Sequence, residues 1–103
     1  MKAVRLTEAA RNDIETIIDY YLLEAGVEVA LSFTRAWQST LSVLARHPGI
    51  GSPRFASEVR IEGLRVWSLR GFPHLVLYLL DDDGPEVIRI LHSARDIPST
   101  LRE

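Results

Sequence analysis

The chain contains no cysteine. That excludes disulfides, thiolate metal sites and a thiol nucleophile. Lysine is nearly missing as well, since eleven of the twelve basic residues are Arg and only Lys2 is Lys. Arg suits bidentate contacts to carboxylate or phosphate, although a GC-rich genome, which favours Arg codons, is the plainer reading. No long apolar run is present: Leu75 to Leu80, six residues, is the longest, against about 20 for a membrane span. A signal peptide is not expected, because Lys2 and Arg5 are followed at once by Glu8 with no apolar run between them. Positive charge is not in excess either. The net charge of −2 argues against a protein that holds nucleic acid through its phosphates. Repeats and low-complexity tracts are absent. These absences leave a soluble, cytoplasmic protein with no membrane association. At 103 residues it is expected to be a single domain, 1–103.

What is present reads as an ordered series of elements. Ala3 to Leu6 is a short strand candidate. Thr7 is placed to cap a helix, with Glu8 in its first turn. Ala10, Ile14, Ile17, Ile18, Tyr21 and Ala25 recur at helical spacing, and Gly26 ends the run. A second helix is expected from Val27 to Arg46, with Ala30, Phe33, Trp37, Leu41 and Leu44 as its apolar stripe and His47-Pro48-Gly49 as its stop. Gly49 to Glu62 has no clear period and reads as a loop, with a helical turn near Ala56 to Val59. Strands follow at Leu64 to Arg70, His74 to Leu80 and Glu86 to His92. The first two are joined by the Gly71-Phe72-Pro73 turn and the last two by the Asp81 to Pro85 loop. Ser93 to Glu103 is a short tail with room for one turn of helix.

Short connections make the three strands an antiparallel meander. The fold class is therefore α+β: a short N-terminal strand, an antiparallel helical hairpin, then a three-stranded antiparallel meander with the hairpin packed on one face. The opposite face has no second helical layer in this reading, yet the strands are apolar on both sides. Another chain is expected to cover part of it.

The last strand draws the most attention. Alternation puts Val87, Arg89 and Leu91 on one face and Ile88, Ile90 and His92 on the other. A half-buried Arg needs a partner, and Asp96 or Glu62 is the expected one. Asp96 is also the expected partner of His92. Trp37 and Trp67 read as core residues. His47 and His74 are isolated, and Asp81, Asp82 and Asp83 read as a solvated hairpin, so no metal and no cofactor is expected.

Several stretches together resemble the ParE branch of the RelE/ParE superfamily of bacterial toxins. They are Leu6-Thr7-Glu8-Ala9-Ala10, Asp13-Ile14, Ile17-Ile18-Asp19-Tyr20-Tyr21, Ala30, Phe33 and Leu41 of the second helix, Leu44 to Gly51, Gly63-Leu64-Arg65, Phe72 to Tyr78 and Val87 to Asp96. The resemblance implies a toxin of a type II toxin–antitoxin pair, neutralised by a ParD-like cognate antitoxin through which the complex binds operator DNA. It also implies a target. The ParE branch stabilises DNA gyrase on cleaved DNA, whereas the RelE branch cuts messenger RNA on the ribosome.

The two chemistries ask for different residues. A ribonuclease needs a base, an acid and cations around the phosphate. His92, Arg65 and Arg89 are the candidates here, with Arg70 as a further cation and Glu58 or Glu62 as a base. The lysine-poor sheet and negative net charge weigh against that reading. A gyrase poison needs no catalytic set, only a surface that prefers the cleaved state. Arg65, Arg70, Arg89, His92 and Arg95 are the residues expected to form it. An inactive homologue that only binds the antitoxin as a corepressor is the third reading.

Overall fold

The computed structural model describes residues 3–102, and the backbone only of Arg102. Met1, Lys2 and Glu103, at the ends of the expected domain and tail, lie outside the described residues. The elements run β1 (Arg5–Leu6), α1 (Glu8–Glu24), α2 (Val27–Arg46), α3 (Ala56–Val59), β2 (Leu64–Ser68), β3 (His74–Asp81), β4 (Gly84–His92) and α4 (Ile97–Arg102). The α+β class and the element order are those expected. The first strand is shorter than Ala3 to Leu6, and β2 stops at Ser68, two residues before Arg70.

The helical hairpin forms for local reasons. The Thr7 hydroxyl accepts the Ala10 N–H at 3.1 Å and so caps α1. At the other end the N–H groups of Ala25 and Gly26 both reach the Tyr21 carbonyl. Gly26 has φ +95°, a left-handed conformation that glycine adopts without strain. The turn is therefore only two residues long, and α2 returns directly along α1.

The sheet is mixed, in the order β1-β4-β3-β2. β2, β3 and β4 form the expected antiparallel meander, and β1 adds parallel to β4 with Arg5 opposite Glu86 and Leu6 opposite Val87. Arg5 anchors this short edge by donating to Asp81 and to the Gly84 carbonyl, each at 3.2 Å. Past β1, the edge of β4 is taken over by Thr7. Its N–H donates to the Val87 carbonyl at 3.0 Å and its hydroxyl to the Ile88 carbonyl at 3.0 Å.

A β-bulge interrupts the β3–β4 ladder. Tyr78 pairs with Val87 and Leu77 with Arg89, so Ile88 has no counterpart. This corrects the simple alternation expected for β4. Val87 and Ile90, not Val87 and Leu91, face the helices, where they join Ala10, Phe33, Trp37, Leu44, Val76 and Tyr78 in the main core.

The second face of the sheet is also different from expectation. Leu64, Val66, Leu75, Leu77 and Leu91 on it form a core with Val59 and Ile97, flanked by Phe55, Ile61 and Leu101. The short helices α3 and α4 supply that cover, so the chain closes its own far face and another chain is not needed there. The exposed large apolar side chains lie elsewhere. Tyr20, Leu22, Leu23, Val27 and Leu31 cluster around the hairpin turn, and Ile50 sits in the following loop.

That loop is held by a buried phenol. The Tyr78 hydroxyl donates to the Pro48 carbonyl at 2.7 Å and accepts the Gly51 N–H at 2.9 Å. Burial pushes its pKa up, so it remains a donor. Gly51 lies so close that an added Cβ would come within 2.6 Å of the hydroxyl oxygen. Tyr78→Phe is expected to lower stability by about 1 to 3 kcal/mol by orphaning two backbone groups. Gly51→Ala is expected to lower it by a similar amount through overpacking, about 1 to 3 kcal/mol. Removing the hydroxyl takes away the nearest overlapping atom but leaves ring carbons Cε1 and Cζ at 2.8 and 3.0 Å, so the double variant should lose somewhat less than the sum in chemical denaturation. Strict additivity would show that the two groups do not meet.

Candidate functional site

The five residues expected at a target surface separate into two groups. β3 runs from His74, opposite His92, to Asp81, opposite Gly84. Arg70 lies in the exposed turn before His74, and Arg95 in the exposed turn after His92. Arg70, His92 and Arg95 therefore share one end of the sheet. Arg65 belongs toward the other end, opposite Tyr78 on β2. It donates to the Gly49 carbonyl at 3.0 Å and the Gly51 carbonyl at 2.6 Å. With Tyr78 it fastens the Pro48 to Gly51 loop, so its guanidinium is engaged in structure.

Arg89 is likewise engaged, but not with the partner expected. Its Nε donates to Asp13 Oδ2 at 2.7 Å and its Nη2 to Oδ1 at 3.1 Å. The expected pairs with Asp96 and Glu62 do not form. Asp96 instead accepts the Ser99 N–H at 3.2 Å and caps α4. Asp13 does more than neutralise Arg89, because Oδ2 also accepts the Ile90 N–H at 2.9 Å. A carboxylate that receives a bidentate guanidinium and a backbone amide is strongly held. It ties the second turn of α1 to the open edge of β4.

His92 also departs from expectation. Its partner is not Asp96: Nδ1 accepts the Ala94 N–H at 3.0 Å. In the neutral ring this leaves the proton on Nε2, which is a donor. Its neighbour across the strands is His74, with ring centroids 5.6 Å apart. Sequence reading treated His74 as isolated, and the reason is the bulge. Counting from the Asp81–Gly84 pair without it places His74 opposite Leu91; the extra residue at Ile88 shifts it opposite His92.

His74 is only 7% exposed and packs edge-on against Tyr21 and Phe33. Its Nδ1 is buried without a hydrogen-bond partner. Burial, and secondarily the proximity of His92, pushes its pKa below the ordinary value. His74 is therefore a neutral aromatic member of the core.

Between α1 and this end of the sheet lies an open groove of about 550 Å³. Tyr20 and Tyr21 of α1 line it together with Pro73, His74, His92 and Arg95. The tyrosines were read as helix residues only, and nothing in helical spacing marks them as groove walls. Among the described residues, no group of three or more His, Cys, Asp or Glu side chains is placed to hold a metal. No helix is long and apolar enough to cross a membrane.

Two consequences are measurable. Asp13→Ala removes the bidentate carboxylate from Arg89 and orphans the Ile90 amide, and is expected to lower stability by about 1 to 3 kcal/mol in denaturant unfolding. The His74 shift has a definite sign. The unfolded histidine takes up a proton near pH 6.5 and the folded one only at lower pH, so stability is full above about 6.5 and falls as pH drops below it. Thermal midpoints between pH 7.5 and 5 should show this loss, and His74→Phe should flatten that part of the profile. An unchanged slope would assign the acid sensitivity to other groups.

Comparison with known proteins agrees with this architecture. Residues 4–97 match the sequence model of the family described as ParE toxin of type II toxin-antitoxin system, parDE. Toxin ParE1 of Caulobacter vibrioides is 34% identical over 103 residues, covering 98% of this chain and 99% of that protein. A chain of the chromosomal ParDE TA system from P. aeruginosa has the same fold, with a TM-score of 0.72 over 89% of this chain and 96% of that one at 22% identity. A family match that runs from β1 into α4, joined to a full-length relative, settles the membership: the chain belongs to the ParE toxins of type II toxin–antitoxin systems.

Proposed function

We propose that this ParE-family toxin acts without catalysis, by binding DNA gyrase and stabilising the enzyme on cleaved DNA, and that a ParD-like antitoxin holds it inactive. The family match along residues 4–97 carries the reading. The geometry supports it. Of the three residues a ribonuclease would recruit, Arg65 is fastened to the Gly49 and Gly51 carbonyls and Arg89 to Asp13. They sit on β2 and β4 with β3 between them, about 10 Å apart by strand spacing. They do not converge with His92 on one phosphate. The net charge of −2 is a further obstacle to docking on ribosomal RNA.

The gyrase contact is assigned to the end of the sheet that carries Arg70, His92 and Arg95. Arg65 and Arg89 contribute as structural residues, Arg65 holding the loop at Gly49 and Gly51 and Arg89 holding Asp13 of α1. The antitoxin is assigned to the apolar side chains around the hairpin turn, where Leu23 is 84% and Val27 62% exposed. Exposed apolar clusters of this kind mark protein interfaces. In the cytoplasm the toxin would remain covered there, and the antitoxin would carry the pair to operator DNA.

Purified toxin added to gyrase should abolish supercoiling and accumulate linear DNA, while leaving messenger RNA intact in a translation mixture. Intact supercoiling with cut messenger RNA would replace this reading with the ribonuclease one, and silence in both assays would favour an inert corepressor. Leu23→Glu removes no buried contact. It should weaken antitoxin binding at least tenfold in calorimetry while leaving the thermal midpoint unchanged.

A further inference from the structure

The groove between α1 and the end of β3 and β4 has an unbalanced lining. Its basic lining includes His92 and Arg95, both exposed. The carboxylate lining it is Asp13, already committed to Arg89 and the Ile90 N–H. Arg95 makes no ion pair among the described residues. His92 is held in one orientation by the Ala94 N–H on its Nδ1, which leaves Nε2 to donate outward. A fixed donor and a free guanidinium lining one groove can together receive a carboxylate. Apart from Thr16, the remaining lining is apolar or aromatic: Tyr20 is 61% exposed and meets Tyr21 edge-on at 5.6 Å. Tyr20 also belongs to the apolar cluster at the hairpin turn, so the groove and that cluster form one continuous surface.

We propose that this groove receives an acidic side chain of the antitoxin, its carboxylate bound between Arg95 and the Nε2–H of His92 and its neighbouring residues packed on Tyr20 and Tyr21. The inference rests on the proposed antitoxin partnership, and it adds a mechanism. A segment seated there covers Arg95 and His92 themselves, so neutralisation occurs by occupying the surface assigned to the target.

The test uses the full toxin and the full-length antitoxin encoded beside it. Arg95→Glu should weaken their complex at least tenfold in calorimetry at low salt, and His92→Leu should weaken it several-fold. Arg46→Glu, an equal charge reversal at the far end of α2, should leave it unchanged. Each Asp and Glu of the antitoxin is then changed in turn to Lys, and one such change should restore binding to Arg95→Glu while weakening binding to the unmodified toxin. Unaltered affinity of Arg95→Glu, with loss of binding by Leu23→Glu, would overturn the groove and keep the antitoxin partnership. Equal weakening by Arg95→Glu and Arg46→Glu would reduce the effect to net charge and overturn it too. Failure of the unmodified toxin to bind would overturn the partnership and the groove with it.

Discussion

The structure depends on how one strand edge is closed. β4 is central for its first residues, where β1 pairs with it, and becomes an edge from Ile88 onward. An open edge offers unpaired backbone groups to any passing strand. Here the start of α1 closes it, with the Thr7 backbone N–H and with the side chains of Thr7 and Asp13. Thr7 takes the carbonyls of Val87 and Ile88, and Asp13 takes the amide of Ile90 while holding Arg89. Thr7 and Asp13 also sit on the first two turns of α1, so the contacts that protect the strand fix the helix over it. Without them the hairpin would rest on the sheet through non-directional apolar contacts alone, and the groove beside it would have no defined width.

The bulge at Ile88 resets the register of the rest of the strand. It takes Arg89 out of simple alternation, opposite Leu77 rather than Val76, and it shifts His74 opposite His92. Both outcomes lay beyond a sequence reading, because period-two alternation has no symbol for an inserted residue. The helices were legible, since their apolar stripes are long and their ends carry Thr7, Gly26 and Pro48. The meander was legible from its turns. Asp13 was not, because it lies 76 residues from Arg89 and chain distance carries no trace of such a pair. Asp96, close at hand in sequence, was the natural guess, but it caps α4.

The far face of the sheet failed for a related reason. α3 spans four residues and α4 six, too short for periodicity to announce which face they cover. Their apolar residues, Val59 and Ile97 among them, looked like scattered loop positions. Folded, they complete a second core with Leu64, Val66 and Leu91. The large apolar side chains left exposed therefore lie mostly on the helical hairpin.

The site was legible in part, and the part that was missed explains the rest. Arg70, His92 and Arg95 gather at one end because the β2–β3 turn and the end of β4 must be neighbours in a meander. Arg65 reads identically in sequence, yet its register opposite Tyr78 directs it to the loop at Pro48 to Gly51. A cation on a strand is thus not a functional residue by type. Its role follows from whether the fold supplies an acceptor first, as it does for Arg65 and Arg89 and does not for Arg95. A toxin that works by binding needs no sharp constellation of acids and bases, only a few unsatisfied donors on a rigid frame. Such donors become visible only after every internal acceptor has been assigned.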